Sequence, residues 1–257
     1  MDARGFYDGL GDEYDRMVSW ESRLAREEVF FERLFDERSV RKVLDAACGT
    51  GMHAISFAHH GRDAAGADLS PVMIENARRN ALAAGVRVDF RVAGFGECAR
   101  AWPDPFDAVT CIGNSLPHLL DERSLASCLE DFAAALRPGG TLVIQNRNYD
   151  RVLRERQRFM PLSAREENGE ETLFLRITDF PDGADEERID FTIVTLKKKA
   201  GAWSQTVRTT PLRALRRSTL EAALAKAGFT DVRSYGGYSL GPSDAAEAGD
   251  LLIVARA

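Results

Sequence analysis

The stretch Val43-Leu44-Asp45-Ala46-Ala47-Cys48-Gly49-Thr50-Gly51 places an apolar run, an acid and two glycines in direct succession. A buried parallel strand is typically a continuous apolar run, and Gly49 and Gly51 permit a tight turn with close backbone approach. A helix that begins after such a turn offers unpaired N–H groups at its N-terminus. The stretch therefore predicts a buried strand that turns into a helix at the binding site of a nucleotide-type cofactor.

The composition is that of a soluble globular protein the size of an enzyme. A chain of 257 residues with 44% hydrophobic residues can bury the core of one large domain, or of a domain with an inserted segment. The formal charge of -6 gives no basic field for a phosphate backbone, so nucleic acid is not an expected partner. The chain lacks both an apolar run of the roughly 18 residues that span a bilayer and a signal peptide. We therefore expect a cytoplasmic protein with no membrane partner.

The cysteines and histidines show no metal-binding pattern. Four cysteines, Cys48, Cys98, Cys111 and Cys128, are scattered without Cys-x-x-Cys spacing, which is typical of reduced thiols in a cytosolic protein. His59 and His60 have no set of metal ligands around them. The sequence therefore predicts no metal site.

Strands and helices alternate over the first 150 residues. Helical spacing of apolar residues predicts a helix over about residues 21 to 37. Strands are predicted at Val40–Ala46, Asp63–Ala67, Arg87–Val92, Phe106–Ile112 and Thr141–Gln145, and further helices at Pro71 to about Ala84, Gly94–Ala101 and Glu122–Leu136. Ser70 suits the N-cap and Pro71 the first turn of the second helix. Five strand-helix units predict an α/β fold with a doubly wound, mostly parallel sheet, whose ligands lie beyond the carboxyl ends of its strands.

The pattern changes after Asp150. Three β-rich segments at Thr172–Phe180, Arg188–Lys198 and Trp203–Pro211, with turn signals at Asp182-Gly183 and Ala200-Gly201, predict an antiparallel β meander. A helix near Ser218–Gly228 and strands near Thr230–Tyr235 and Asp250–Ala255 then complete a seven-stranded sheet. We therefore expect residues 1–150 and 212–257 to form the cofactor-binding domain, with an N-terminal helical cap, and residues 151–211 to form an inserted β subdomain.

Two acids narrow the choice of cofactor. A Gly-x-Gly after a strand occurs in both dehydrogenases and methyltransferases. Asp45 precedes the glycines by four residues, where its carboxylate would repel a pyrophosphate and attract an amine-bearing or cationic cofactor. Ala54 stands where a dinucleotide motif usually has its third glycine, although alanine is allowed there. Asp68 ends the second strand and suits the ribose hydroxyls of either cofactor.

With Arg137-Pro138-Gly139-Gly140 before the fifth strand, this pattern resembles that of class I S-adenosylmethionine-dependent methyltransferases over about residues 20 to 150. The resemblance implies S-adenosylmethionine as cofactor, with Asp45 near its amino group and Asp68 on its ribose. The residues that it assigns to the cofactor are Trp20, Arg23, Asp45, Ala47, Gly49, Gly51, Asp68, Leu69, Met73, Gly94, Phe95 and Cys111. Many members also carry an acid near Gly94, which this chain lacks, so no acceptor for the adenine amino group is predicted.

Two further segments resemble a narrower family. Cys111-Ile112-Gly113-Asn114-Ser115-Leu116-Pro117-His118-Leu119 and Asn146-Arg147-Asn148-Tyr149-Asp150 are similar to segments of glycine N-methyltransferases and glycine/sarcosine methyltransferases. The resemblance implies that Arg147 clamps the carboxylate of an amino acid, that Asn114 orients this amino acid, and that Arg23 binds the carboxylate of the cofactor. A guanidinium fork recognises a carboxylate through two hydrogen bonds, in agreement with the first of these roles. Tyr14 and Trp20 could close over the site, and His118 matches a histidine of the family motif.

One departure concerns the methyl acceptor. Family members place tyrosines in the inserted region near the acceptor, whereas this chain has Thr209-Thr210-Pro211-Leu212 there. We expect Tyr149, Tyr235 or Tyr238 to orient the acceptor nitrogen instead. The family resemblance implies methyl transfer to the amine of a small amino acid such as glycine, sarcosine or dimethylglycine. Methylation of another small molecule, an NAD-type oxidoreductase and a non-catalytic cofactor-binding protein remain alternatives, and the oligomeric state is open.

Overall fold

The structure is a computed structural model that describes residues 1–11, 13–18, 20–167, 169–181, 187–238 and 246–257. Its strands are β1 Lys42–Ala46, β2 Asp63–Asp68, β3 Asp89–Val92, β4 Phe106–Cys111, β5 Leu136–Arg147, β6 Ser163–Glu167, β7 Glu170–Asp179, β8 Arg188–Lys199, β9 Ala202–Arg213, β10 Thr230–Tyr235 and β11 Asp250–Arg256. Its helices are α1 Ala3–Asp8, α2 Glu13–Met17, α3 Trp20–Glu37, α4 Met52–His59, α5 Pro71–Ala83, α6 Cys98–Ala101, α7 Glu122–Ala135, α8 Tyr149–Glu155 and α9 Arg217–Lys226, with a 3-10 turn at Leu116–His118.

Seven strands form the larger sheet, in the order β10-β11-β5-β4-β1-β2-β3. The pairs that join β1 to β2, β1 to β4, β2 to β3 and β4 to β5 are parallel, whereas β11 runs antiparallel to both of its neighbours. The predicted α/β fold with a seven-stranded, mostly parallel sheet is confirmed. Because β1 and β4 are central neighbours, the loops after them meet at the middle of one sheet edge.

Helices cover both faces of this sheet. Val43 of β1 packs with Phe31 of α3 and Phe57 of α4, whereas Leu44, which points the other way, packs with the cluster that holds Phe132 of α7. Both faces of the strand are therefore buried, which explains its continuous apolar run. Each such buried side chain contributes roughly 1.5–3 kcal/mol of hydrophobic stabilisation.

Local signals placed several helix ends correctly. The Ser70 hydroxyl accepts a hydrogen bond from the main-chain N–H of Met73 at 3.1 Å, so the predicted N-cap of α5 is confirmed. The helix predicted over Gly94–Ala101 is shorter, because the Glu97 carboxylate accepts the Gly94 N–H at 2.8 Å and holds a turn before α6. Helices α1, α2 and α8, which are only five to seven residues long, carried no clear periodic signal.

The smaller sheet is an antiparallel meander in the order β6-β7-β8-β9. The sequence predicted three of these strands and missed β6, because Ser163-Ala164-Arg165-Glu166-Glu167 has no buried residue and no apolar alternation. The predicted turn at Ala200-Gly201 is confirmed, while Asp182-Gly183 lies outside the described residues. That residues 151–211 form a subdomain of their own stays a prediction.

All four cysteines are buried and free. Among the helices that the structure describes, none is long and apolar enough to span a membrane.

Candidate active site

Three neighbouring cavities lie at the edge where β1, β2, β4 and β5 end. The strand-end cavity, of about 530 Å³, is lined by residues that follow β1, β2 and β3. The arginine cavity, of about 380 Å³, lies between the ends of β4 and β5 and the smaller sheet. A small cavity of about 20 Å³ adjoins both of them and is lined by Tyr14, Arg23, Asp45, Ala47 and Gly113. Ala47 also lines the strand-end cavity, Arg23 and Gly113 also line the arginine cavity, and Tyr14 lines both.

The turn after β1 shapes the strand-end cavity. Ala47 adopts a left-handed conformation with φ 65°, which is rare for a residue with a side chain and is typical of functional sites. The main-chain N–H of Gly49 donates to the Asp68 carboxylate at 2.9 Å. Gly49 and Ala47 therefore present main chain to the cavity, as the sequence predicted for a cofactor-binding turn.

Gly51 is required for close packing at the start of α4. It caps α4 with φ 86°, and a Cβ atom there would lie 2.7 Å from Cζ of Phe90 and 3.0 Å from Cβ of Ala77. Gly51 is not among the described residues that line the strand-end cavity. The structure thus places this glycine at close packing of α4 on β3 and α5, instead of at the cofactor border that the sequence predicted.

Asp68 is fixed at the end of β2. Its two carboxylate oxygens accept the N–H groups of Gly49 and Ser70, both at 2.9 Å. Burial raises the pKa of Asp68, although these two hydrogen bonds oppose the shift. Each oxygen keeps a lone pair for a hydroxyl group, as a ribose-binding acid requires.

An apolar slot adjoins Asp68. Leu69, Met73 and Phe95 line it, and a Cβ atom on Gly94 would lie 3.2 Å from Cδ1 of Leu69, so glycine leaves the slot open. Glu97 lines the same cavity. The acid that the sequence interpretation missed near Gly94 is therefore present three residues later, where the turn before α6 brings its carboxylate back to the Gly94 N–H.

Asp45 and Arg23 meet at the small cavity. Asp45 is 1% exposed, and its Oδ1 accepts from Thr110 Oγ1 at 3.0 Å. Its Oδ2 is buried and has no hydrogen-bond partner in the described part of the chain. Burial raises the pKa of Asp45 to about 6, against the opposing charge of His53. An unpartnered acid beside a guanidinium suits the ammonium and carboxylate of a bound amino acid group.

Arg23 is held by a buried network that sequence reasoning missed. Its Nε donates to Glu27 Oε1 at 2.9 Å, and the other oxygen of Glu27 pairs with His53 Nε2. Burial alone would lower the pKa of Arg23, but the Glu27 carboxylate raises it, so the guanidinium stays charged. Arg23 precedes Glu27 by four positions, and His53 follows Glu27 by 26 positions. The sequence carried no signal for this network beyond a polar residue at position 27 of α3.

Two other predicted cofactor residues behave differently. The indole N–H of Trp20 donates to Asp15 at 2.9 Å, and Trp20 lines the small cavity. Asp15 also accepts from the Thr50 hydroxyl, so the N-terminal helices are tied to the turn after β1.

Cys111 is fully buried in the core beneath the site and is not among the described residues that line any of the three cavities. The structure thus places its side chain in the core and not at the cofactor border that the sequence predicted.

Asn114 and Arg147, the two residues predicted to bind the acceptor, both line the arginine cavity. The main-chain N–H of Arg147 donates to Asn114 Oδ1 at 3.0 Å, and Asn114 Nδ2 donates to the Tyr149 hydroxyl at 2.9 Å. Tyr149 is fully buried, and burial raises its pKa to about 12. Because Tyr149 is absent from the described lining of the arginine cavity, the geometry favours a role in positioning Asn114 over contact with the acceptor.

The tyrosines that line the arginine cavity come from the N-terminal helices. Tyr7, which the sequence interpretation missed, and Tyr14 line both this cavity and the strand-end cavity. The Tyr7 hydroxyl lies 3.1 Å from Nε2 of His118, whose pKa is lowered to about 4 by burial. Tyr235 and Tyr238 are not among the described residues of this lining. The Tyr238 ring packs instead on Phe30 and Phe31 of α3.

Comparisons with known proteins show that the chain is similar to methyltransferases. Residues 43–140 match the family described as "Methyltransferase domain". The chain is 38% identical over 148 residues to a glycine/sarcosine N-methyltransferase of Parasynechococcus marenigrum (strain WH8102), an alignment that covers 58% of this chain and 52% of the relative. The chain thus spans about half the length of the curated relatives it matches.

Solved structures share the fold over nearly the whole chain. A S-adenosylmethionine-dependent methyltransferase from Clostridium acetobutylicum ATCC 824 superposes with a TM-score of 0.79 at 15% identity, covering 97% of this chain and 98% of that chain. An amino pentose methyltransferase from Micromonospora echinaspora, solved with S-adenosylmethionine bound, gives 0.73 at 22% identity, covering 95% and 94%.

Residues 43–140 therefore match a methyltransferase domain, and the chain shares its fold with methyltransferases of the S-adenosylmethionine-dependent class. Within that class it is similar to the glycine/sarcosine N-methyltransferases. The residues present fit the cofactor of the class: Asp68 and the slot at Leu69 suit its adenosine, and the unpartnered Asp45 oxygen beside Arg23 suits its amino acid end.

Proposed function

We propose that this protein is an S-adenosylmethionine-dependent N-methyltransferase whose acceptor is a small molecule that carries both an amine and a carboxylate. The observation that carries the proposal is the Arg147 guanidinium, which lines a cavity next to the cofactor cavities. Its side-chain hydrogen bonds to described residues go to neutral oxygens, Thr178 Oγ1 at 3.1 Å and Gln157 Oε1 at 3.2 Å. Glycine, sarcosine and dimethylglycine belong to this class of acceptor. The names of the curated relatives support it.

The donor side needs residues that fix the cofactor. When bound, S-adenosylmethionine supplies a methyl group activated by a sulfonium. Asp68 would accept from its ribose hydroxyls, and Leu69 and Phe95 would enclose its adenine. Asp45 would accept from its ammonium while Arg23 binds its carboxylate. With these contacts made, Tyr14 and Gly113, which line both the small cavity and the arginine cavity, would stand between the donor and the acceptor.

The acceptor side needs alignment and a neutral amine. Arg147 would bind the carboxylate, and Asn114 keeps the Arg147 backbone in place. The positive charges of this cavity disfavour the ammonium form of the acceptor and so favour the free lone pair. With its Nε2 unprotonated, neutral His118 would accept from Tyr7, and the Tyr7 oxygen would then be free to accept an amine N–H. Proximity and orientation can supply roughly 7–11 kcal/mol, so an acid-base pair is not required.

Two alternatives fit the geometry less well. A dinucleotide would place a pyrophosphate near the buried Asp45 carboxylate, which like charge disfavours. An amine without an anionic group would leave the Arg147 guanidinium without an ion-pair partner among the described residues.

Isothermal titration calorimetry with two variants tests the proposal. The wild-type protein should bind S-adenosylhomocysteine and not NAD. Asp68→Asn should weaken this binding roughly tenfold or more, because it removes the negative charge of the side chain that would accept the hydrogen bonds of the two ribose hydroxyls. Arg147→Gln should leave it within about twofold and raise the KM of the acceptor, while Arg154→Gln, on the surface of α8, should change neither. Binding of NAD alone, or loss of S-adenosylhomocysteine binding in Arg147→Gln with intact acceptor kinetics, would overturn it.

A further inference from the structure

A second guanidinium stands beside Arg147 in the arginine cavity. Arg176 lies two residues before Thr178 on β7, so both side chains project from the same face of the strand. Thr178 accepts from Arg147, and Arg176 also lines the cavity. Strand β7 therefore brings Arg176 and Arg147 together at one wall.

Neutral oxygens hold Arg176 as they hold Arg147. Its Nη2 donates to the Pro161 carbonyl at 3.1 Å and to Ser163 Oγ at 3.2 Å. Its Nε is buried and lacks a hydrogen-bond partner among the described residues. Among the described residues, no carboxylate forms a salt bridge with either guanidinium. The charge of Asp250 acts on Arg147 from a greater distance, so the compensation of these two positive charges is incomplete.

The cavity concentrates positive charge in an acidic protein. Among its described lining residues are five arginines, Arg23, Arg26, Arg147, Arg165 and Arg176, against the two carboxylates Glu27 and Asp250. Glu27 is already paired with Arg23, and Asp250 accepts from Gln145 at 3.1 Å. Burial lowers the pKa of Arg176, and the neighbouring Arg147 charge lowers it further. The formal charge of the chain is -6, so this positive cluster is local.

The cavity is also large for a minimal amino acid. Its volume of about 380 Å³ lies in the range of roughly 300–1,000 Å³ that holds ligands much bigger than glycine. Phe191, Ile193 and Leu212 of the smaller sheet form an apolar wall opposite the strand ends. An acceptor with a side chain of several atoms would fill this space.

We propose that the acceptor carries a second anionic group in addition to the carboxylate bound by Arg147, and that Arg176 binds this group. The chemical class is an amino acid with an acidic side chain, ending in a carboxylate or a phosphoryl group. The inference rests on the proposed function, because it names the substrate class of the same site. Arg176 is then a specificity-determining residue.

Binding of three probes to the protein saturated with S-adenosylhomocysteine tests this inference by calorimetry. The probes are glycine, glutamate and O-phosphoserine, of which the last two distinguish a carboxylate from a phosphoryl group. We expect at least one of these two to bind about tenfold or more tightly than glycine. Arg176→Gln should remove that preference and leave the glycine affinity within about twofold, and Arg176→Lys should retain part of it because the charge remains.

The matched control is Arg158→Gln. Arg158 lies in the segment next to β7, pairs with Asp179 and is not among the described residues that line the arginine cavity. This variant should keep the wild-type preference. Glycine that binds as tightly as both acidic probes and is methylated would overturn the inference while the proposed function stands. If Arg176→Gln still binds glutamate or O-phosphoserine more tightly than glycine, as the wild type is expected to do, then Arg176 does not bind the second anionic group. Absence of binding by S-adenosylhomocysteine and by every amine would overturn the proposed function itself.

Discussion

The side-chain oxygen of Asn114 accepts the main-chain N–H of Arg147 at 3.0 Å, and this bond ties the loop after β4 to the end of β5. Asn114 adopts φ 66°, in the left-handed region that costs a residue with a side chain about 1 kcal/mol or more. The bond from its Nδ2 to the buried Tyr149 hydroxyl stabilises that conformation. The main chain at Arg147 is thus held by the loop after β4.

Replacing Asn114 should damage acceptor binding and spare cofactor binding. Asn114→Ala removes both hydrogen bonds, so Arg147 can shift, and we expect kcat/KM to fall about 10²-fold. Tyr149→Phe removes one of the two bonds and should cause a smaller loss. Steady-state kinetics with calorimetry of S-adenosylhomocysteine checks this, and an equal loss of cofactor affinity would contradict the positioning role.

Cofactor binding should weaken in acid because of Asp45. Its pKa of about 6 is raised by burial above the ordinary value, so in the free protein its contribution to stability is fully present below pH 3.8 and is lost as the pH rises through about 6. A bound ammonium reverses this preference, because it needs the ionised acid. Below pH 6 the affinity for S-adenosylhomocysteine should therefore fall by up to about tenfold per pH unit.

Thermal shift at pH 5 and pH 8 measures this effect. The rise in Tm caused by saturating S-adenosylhomocysteine should be larger at pH 8. The control is Asp45→Asn, which should bind weakly and show a smaller difference between the two pH values. Asp68, whose pKa burial also raises, remains in both proteins, so the comparison isolates Asp45. A wild-type shift equal at both pH values would contradict the role of Asp45.

Gly51 should be required for packing. Gly51→Ala places a Cβ atom 2.7 Å from the Phe90 ring, at a positive φ. Gly61→Ala is a matched control, since Gly61 has φ 78° and nothing within 4 Å of the added atom. We expect the free energy of unfolding to fall by about 1 kcal/mol for Gly61→Ala and by about 1–3 kcal/mol more for Gly51→Ala. Equal losses in urea denaturation would show that only backbone strain matters.

Glu97 should select the adenine base. Its carboxylate lies in the strand-end cavity and can accept from an exocyclic amino group. The protein should therefore bind S-adenosylhomocysteine about tenfold more tightly than its inosine analogue, which lacks that group. Glu97→Gln should reduce this preference in competitive calorimetry, whereas Arg100→Gln, which removes only the surface partner of Glu97, should retain it. The assignment fails if Glu97→Gln discriminates as well as the wild type.

The larger sheet could be predicted because its signals are local. The apolar run before Gly49, the cap at Ser70 and the alternation of strand and helix each follow from short-range physical chemistry. The charged strand β6 has no apolar alternation, and the turn dipeptide Asn168-Gly169 before β7 is the one local signal of its hairpin in the sequence.

The site was only partly predictable for the same reason. Arg23, Asp45 and Arg147 stand at strand ends or on a helix beside the first strand, where topology alone brings them together. Tyr7 and Arg176 reach the site from segments far away in the sequence, and only the folded structure places them there. Gly51 could be recognised as a turn residue, but its contact with Phe90 could not.

Transfer of a radiolabelled methyl group from S-adenosylmethionine to a panel of amines tests the central claim most directly. The panel contains glycine, sarcosine, dimethylglycine, glutamate, O-phosphoserine and a carboxylate-free amine, each assayed with the wild type and with Arg147→Gln. We expect the labelled methyl group to become attached to the nitrogen of an amine that carries a carboxylate. The KM for this amine should rise strongly in Arg147→Gln. Label transferred only to the carboxylate-free amine, or to none of the panel by a protein that binds S-adenosylmethionine, would contradict the account.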